Sequence, residues 1–467
     1  MEEFDVVVIG SGPGGYVAAI RSAQSGYKTA IIEKYNTLGG TCTNVGCIPT
    51  KALLDSTHHY ADAIHKFDKH GISFSGIHLD FGQLNKRKAE VVAKNTQGLD
   101  FLMRKNKITI FRGIGSFIDN HTLKVQGADN RDVKIKASKY IIATGSKPAT
   151  IPGVDIDKKR IITSTEALHL AEKPDSMIII GGGVIGVEMA SIFNRIGTKV
   201  TILEYAGNLI PTMDKDLSAA LFSILVKEGI EIKLQHAVYK TENLGTESKV
   251  WFKNNQGLEE ELTADYILVA VGRKPYTESL GLENTDIALH PNKTIRTNER
   301  LQTTVPHIYA IGDVIGGAML AHKAEEEAMF VIDTINGQQA HINYDRIPSV
   351  VYTWPEVAAV GYTEEELKKK GIAYNTGKFP FAVNARARAG METEGFVKIL
   401  SDPKYGELLG VHIIGARAAD LITQALIGLE AEVTASEMGA ACYPHPTYSE
   451  VLKEAYIIAS GKTSVNI

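Results

Sequence analysis

The apolar residues of this chain gather into short runs, each closed by a glycine-rich turn. Asp5-Val6-Val7-Val8-Ile9 leads into Gly10-Ser11-Gly12-Pro13-Gly14-Gly15, and Tyr16-Val17-Ala18-Ala19-Ile20 follows. An unbroken apolar run of this length bounded by glycines predicts a buried strand, and the stretch after it predicts a helix. A second apolar strand, Thr29 to Ile32, closes on Glu33, 23 positions after Gly10. The same layout returns at Met177 to Ile180, Gly181-Gly182-Gly183-Val184-Ile185-Gly186 and Lys199 to Leu203, where Glu204 is again 23 positions after the first glycine.

A lone Gly-rich hexapeptide is often only a tight turn, but two copies with matching strand, helix and terminal acid point to two dinucleotide-binding units. Their glycines let backbone N–H groups approach a pyrophosphate at the positive end of a helix, and the acid accepts from a ribose hydroxyl. Gly10, Gly12, Gly15 and Glu33 are therefore candidates for one dinucleotide, and Gly181, Gly183, Gly186 and Glu204 for another. Ile141-Ile142-Ala143-Thr144-Gly145-Ser146-Lys147-Pro148 also echoes Leu268-Val269-Ala270-Val271-Gly272-Arg273-Lys274-Pro275, each reading as the strand and turn that end a nucleotide domain. Two different dinucleotides in one chain imply a hydride passed between them, most economically a flavin and a nicotinamide. A carboxylate at Glu204 suits a free 2'-hydroxyl and repels a 2'-phosphate. No arginine follows it in Tyr205-Ala206-Gly207-Asn208, so NAD is expected rather than NADP.

Cys42 and Cys47 are five residues apart, between the first acid and the next helix. On a regular helix that spacing puts their Cα atoms about 8.6 Å apart, beyond the roughly 7 Å that a disulfide tolerates. An oxidised pair needs a distorted first turn, which Gly46 and Gly39-Gly40 can supply. So short a loop would stabilise a large domain by only about 2 kcal/mol, a poor reason for a staple. A redox role fits better, because a thiolate near a helix N-terminus is a good nucleophile and leaving group. The alternatives are unrelated buried thiols or a zinc site, for which no further Cys or His cluster supplies ligands.

The 467 residues allow roughly three domains. With 44% hydrophobic and 22% charged residues the composition is that of an ordinary globular chain. A net charge of −4 gives no reason to expect nucleic acid or an anionic membrane as partner. The apolar runs fall far short of the ~20 residues that span a bilayer, so no membrane insertion is expected. The N-terminal Met1-Glu2-Glu3-Phe4 enters a strand at once, without targeting character, and the expected location is cytoplasmic. Three cysteines make no secreted disulfide framework. His58-His59 and His65/His70 read as solvated helix faces without partners at metal spacing, and no metal is expected. Cys442 reads as a small buried hydrophobe.

Taken together, these motifs resemble the pyridine nucleotide-disulfide oxidoreductase family along essentially the whole chain. The matching pieces are Gly39-Gly40-Thr41-Cys42 through Cys47-Ile48-Pro49-Thr50-Lys51, the two nucleotide turns, and Ile308-Tyr309-Ala310-Ile311-Gly312-Asp313. Met319-Leu320-Ala321-His322-Lys323-Ala324, Tyr352-Thr353-Trp354-Pro355-Glu356-Val357 and His445-Pro446-Thr447-Tyr448-Ser449-Glu450 complete the set. Tyr443-Pro444 before His445 departs from the commoner family pattern. The resemblance implies an α/β fold with two Rossmann-like domains, FAD-binding over 1–148 and NAD-binding over 149–273. A central domain over 274–345 and a C-terminal α+β dimerisation domain over 346–467 would complete it, in a homodimer.

Within the family, the pattern is most similar to members that oxidise protein-bound dihydrolipoamide with NAD. Their partners are the lipoyl-carrying proteins of 2-oxo acid dehydrogenase or glycine cleavage complexes. By that resemblance Cys47 lies against the flavin, Cys42 exchanges with the substrate, and His445, held by Glu450, is the base in the partner subunit's site. Lys51 and Glu188 pair beside the flavin, and Asp313 bonds its ribityl chain. Met319, Ala321 and His322 adjoin it, as do Gly115, Ala143, Thr144 and Gly145, while Val238 and Gly272 line the NAD. Rival readings are a glutathione-type reductase, disfavoured by Glu204, and a flavoprotein with a mainly structural role, disfavoured by the intact set Cys42, Cys47, His445 and Glu450. Mercuric reductases and high-molecular-weight thioredoxin reductases carry a C-terminal cysteine or selenocysteine pair that Ser460 to Ile467 lacks.

Overall fold

A computed structural model describes residues 1–127 and 132–466. The chain divides into two compact units, one of residues 1–53, 82–149 and 272–342, the other of residues 54–81, 150–271 and 343–467.

The first unit is built on a seven-stranded sheet. Glu2–Ile9 lies between Thr29–Glu33 and Asp132–Ile142, parallel to both, and Thr109–Arg112 and Ile308–Ala310 extend the parallel part. Val7 and Ile9 pack into one core with Phe117 and Tyr140, while Val6 and Val8 pack into another with Ala18, Ala19 and Ile311. Both faces of the sheet are thus covered, which is why the strand is apolar at every position from Val6 to Ile9 instead of alternating. Each fully buried valine contributes about 1.5–3 kcal/mol relative to exposure.

The second unit carries a five-stranded parallel sheet ordered Glu231–Leu234, Lys199–Glu204, Ser176–Ile180, Tyr266–Val269, Ile161–Ile162. A three-stranded antiparallel sheet, Ala237–Asn243, Ser248–Lys253 and Glu259–Ala264, shares its core through Val250 and Phe252. Residues 343–467 form a five-stranded antiparallel sheet packed on the helices Ala418–Glu430 and Ser449–Ala459. The architecture is the expected α/β one with two Rossmann-like sheets and a C-terminal α+β portion. The two echo segments pair with each other: Ser146–Pro148 and Arg273–Pro275 form an antiparallel ribbon.

Candidate active site

At both nucleotide turns the three glycines do three different jobs. Gly10 and Gly181 have φ of +100° and +110°, and a Cβ on either would meet a carbonyl oxygen at 2.5 and 2.4 Å. Gly15 and Gly186 bring the helix against the turn, with the place of a Cβ 1.9 and 2.0 Å from the oxygens of Gly10 and Gly181. Nothing stands within 4 Å of the corresponding points at Gly12 and Gly183. These two open glycines are the N-caps of Pro13–Gln24 and Val184–Arg195, and no side chain caps either helix. Bare helix N-termini beside open space fit the pyrophosphates of FAD and NAD.

Each strand-end acid is fastened to its turn. Glu33 is buried and accepts from Ser11 N at 3.1 Å, Ser11 Oγ at 2.6 Å and Tyr35 N at 2.9 Å. Glu204 accepts from Gly182 N at 2.5 Å and Ala206 N at 2.6 Å. These donors fix the carboxylates without using all their lone pairs.

The helix that would have kept the cysteines apart is broken where the sequence allows. Gly40–Val45 ends at Gly46, whose φ of −139° and ψ of −113° are not helical, and a new helix, Cys47–His65, starts on the second cysteine. Gly40 rests on the first nucleotide turn, where a Cβ would lie 2.7 Å from Gly12 Cα. The two thiols are not joined by a disulfide here. The Cys42 thiol is pushed well above its ordinary range, first by its hydrogen bond with the Cys47 side chain, then by burial and by the charges of Cys47 and Glu325, with Lys51 pulling the other way. Cys47, exposed and at a helix N-terminus, is the better placed of the two to carry charge.

Asp313 accepts from Ser146 Oγ, and Arg273 reaches the same serine with Nε at 2.7 Å from Oγ and Nη2 at 2.9 Å from the carbonyl. Burial holds the Arg273 guanidinium below its usual range, against the attraction of Asp313 and Cys47. The loop carrying Asp313 is tied down by the buried pair Lys323–Glu327 at 2.8 Å. Glu327 accepts from Gly312 N at 2.6 Å and Lys323 donates to Gly316 O at 3.1 Å. Met319 ends that loop, and Leu320, whose side chain has no oxygen to offer, caps the helix that begins with Ala321 and His322. Gly115 is buried against Ile32 and Ile9, and Ala143 is buried at the end of its strand. Thr144 Oγ1 donates to Tyr276 O at 2.7 Å, and Gly145 O accepts from Tyr276 N at 2.9 Å. Gly272 has φ of +113° and open space where a Cβ would stand, and Val238 lies half-buried in Ala237–Asn243.

In the second unit His445 is 71% exposed at its side chain and its Nδ1 lies 2.9 Å from Glu450 Oε1. Glu450 also accepts from Thr447 N at 2.8 Å, in the first turn of Ser449–Ala459. Burial raises this carboxyl, but the Thr447 N–H and His445 outweigh it and hold it below the usual carboxylate range. With Nδ1 engaged, Nε2 is the nitrogen left to meet a substrate. Glu188, buried in Val184–Arg195, accepts from Tyr352 N at 2.9 Å.

Two expectations are corrected. Cys442 is exposed, not buried, since it lies in the irregular segment between Ala435–Ala440 and Ser449–Ala459. His58 is not a solvated histidine: its ring packs on Trp354 with centroids 4.2 Å apart. Carboxylates also stand beside it, for His58, Asp62 and Glu392 hold ligating atoms within 4.8 Å of one another. The Lys66 ammonium, however, sits on both acids, 3.0 Å from Asp62 and 2.9 Å from Glu392. Sequence reasoning missed Ser11, Ser146, Arg273, Tyr16 and Glu325. Ser11 and Tyr16 lie in and beside the first turn, and Ser146 and Arg273 sit at matching places in the two echo segments, a signal that was available. Glu325 carried none.

Residues 4–328 match the family model described as pyridine nucleotide-disulphide oxidoreductase, and residues 347–456 match its dimerisation domain. A "Dihydrolipoyl dehydrogenase" of Trypanosoma brucei brucei is 44% identical, over 98% of this chain and 97% of that protein. The "Dihydrolipoyl dehydrogenase, mitochondrial" of Schizosaccharomyces pombe is 45% identical, over 98% and 90%. Among solved structures, the Cu(II) complex of the HOCl-induced flavoprotein disulfide reductase RclA from Escherichia coli is similar with a TM-score of 0.87 and 31% identity, over 98% of this chain and all of that one. Among the described residues no helix is long and apolar enough to cross a membrane.

Proposed function

Because this chain belongs to the pyridine nucleotide-disulphide oxidoreductases, we propose that it oxidises dihydrolipoamide carried on a partner protein and reduces NAD, as a dihydrolipoyl dehydrogenase does. The observation that carries the reading is the cysteine pair, hydrogen-bonded across a broken helix that rests on the first nucleotide turn. FAD and NAD are the cofactors, and FAD when bound relays the electron pair from the cysteines to the nicotinamide.

The substrate dithiol gives up two electrons and two protons, and the bond between the two enzyme sulfurs breaks. His445 takes the first substrate proton, so that a thiolate attacks Cys42. Glu450 holds the imidazole through Nδ1 and stabilises its charged form. Cys47 is the sulfur that would pass the pair to a bound flavin, and the sum is dithiol plus NAD⁺ to disulfide plus NADH plus H⁺. Lys51 and Glu188 are the charged residues that would tune the flavin electrostatically. Asp313, positioned by Ser146 and Arg273, would accept from the bound flavin's ribityl chain, and the amides of Ala321 and His322 would stabilise negative charge on the flavin. Met319, Gly115, Ala143, Thr144 and Gly145 would line the FAD, and Val238 and Gly272 would line the NAD.

In this reading the chain is organised as the four domains named above. It works as a homodimer in which His445 completes the partner subunit's site, and it serves lipoyl-carrying proteins of 2-oxo acid dehydrogenase or glycine cleavage complexes. The sparse cysteines suit a reducing compartment, here the cytoplasm.

The test is an assay of the purified protein with dihydrolipoamide and either NAD or NADP. NADH should form rapidly, with at least tenfold preference for NAD, and His445→Gln should slow it by about 10² to 10⁴. Strong reduction of glutathione disulfide by NADPH, with no turnover of dihydrolipoamide, would overturn the substrate assignment.

A further inference from the structure

Tyr16 and Glu325 are 309 residues apart, yet the tyrosine hydroxyl donates to Glu325 Oε1 at 2.8 Å in a partly buried contact. Three tight backbone contacts bring the helices that carry this pair and the start of the Cys42 helix together at the first nucleotide turn. Gly14 brings Pro13–Gln24 against Ala321–Ile335, where a Cβ would lie 2.9 Å from Ala324 O, and Glu325 is the next residue. Gly15 presses the first turn of the same helix onto Gly10, and Tyr16 follows it. Gly40 seats the start of the Cys42 helix on Gly12, four residues before Tyr16.

The groups around Cys42 come from three directions: Cys47 and Lys51 on the helix that follows, Glu325 on Ala321–Ile335, and Tyr16 on Pro13–Gln24. Arg273, whose charge also feels Asp313, acts on Cys47. The phenol itself is held protonated, raised first by burial, then by its bond to Glu325, and further by Cys42 and Cys47. It is therefore a permanent donor to Glu325 and not a proton carrier.

Breaking the cysteine disulfide by a two-electron reduction with uptake of one proton leaves one thiol and one thiolate. Which sulfur keeps the proton decides the direction of the electron pair, because a charge left on Cys42 would favour returning it to the substrate. We propose that Glu325, fixed by the Tyr16 hydroxyl, is a positioning residue that keeps the proton on Cys42 and leaves the charge on Cys47. A fixed carboxylate beside one sulfur disfavours a second negative charge there. The role rests on the disulfide-reductase reading of the site but not on the identity of the dithiol substrate, so it can fail or hold independently of the lipoyl assignment.

The test uses the flavoprotein reduced anaerobically with excess dithiothreitol, then pulsed with iodoacetamide between pH 6 and 10. Fragment-ion mass spectrometry resolves Cys42 from Cys47, with exposed Cys442 as internal standard. Glu325→Gln should speed Cys42 alkylation at pH 7 by about five- to tenfold, the size expected for removing one nearby charge at a partly buried site. Its pH midpoint should move down, and Cys47 should change by less than about twofold. Glu325→Asp should return Cys42 most of the way to the parent rate. Tyr16→Phe, which keeps the ring and its packing, should move Cys42 in the same direction by about two- to threefold. Equal acceleration of both cysteines, or an unchanged Cys42 midpoint in both Glu325→Gln and Tyr16→Phe, would overturn the proposal.

Discussion

His58 lies in a polar stretch of Cys47–His65, yet its side chain is only 17% exposed because the ring rests on Trp354. Burial lowers it to about 4, against the pull of Asp62 and helped by Arg195 and Lys66. A folded-state value below the ordinary 6.5 means that the fold prefers the neutral ring. The stability tied to it is complete above about pH 6.5 and drains away as pH falls toward 4. His58→Phe keeps the stacking and removes the titration. Denaturant unfolding at pH 7.5 and pH 5 should show the parent losing about 2 kcal/mol more than the variant, and equal losses would refute the assignment. Polar neighbours in sequence concealed this residue, whereas Glu33 and Glu204 were legible because a carboxylate at the end of a strand, after a glycine turn, has a local meaning.

At the scale of elements, the nucleotide turns separate two kinds of glycine. Gly15 is needed by the fold, since an added methyl would stand 1.9 Å from the Gly10 oxygen, while Gly12 faces open space. Gly15→Ala should therefore lower the stability of the flavin-free protein by about 1–3 kcal/mol, as overpacking does, and also reduce FAD affinity. Gly12→Ala should leave the flavin-free melting temperature within about 2 °C of the parent, by the usual scaling of small stability changes, yet weaken FAD at least tenfold by crowding the pyrophosphate. Thermal melts without flavin, together with a titration of flavin fluorescence, check both. Identical melts for the two variants would contradict the division. The broken cysteine helix is the other element that the sequence foreshadowed, because Gly46 was one of the glycines able to supply the distorted turn that an oxidised pair needs.

At the scale of the molecule, the cysteines belong to the first unit and the His445–Glu450 pair to the second, where the imidazole is largely exposed. If each site takes its base from the partner, co-refolding an inactive Cys42→Ser chain with an inactive His445→Gln chain should restore activity. A heterodimer then holds one intact site of the two, so a random mixture should recover about a quarter of parent activity, half its molecules being heterodimers. Activity no greater than that of the separate variants would count against a shared site.

The sequence by itself determined the two glycine-rich turns, their strand-end acids, the cysteine pair and the α/β class. Each of these is written in a few residues whose backbone freedom, apolar run or spacing acts locally. Only the tertiary structure decided that the echo segments pair with each other, that Ser146 and Arg273 together position Asp313, and that Tyr16 meets Glu325. It alone buried His58 and exposed Cys442. The physical reason is that such contacts depend on packing between elements far apart in the chain. A polar side chain there carries no periodicity, and its burial, partner and charge are set by whatever the fold brings against it.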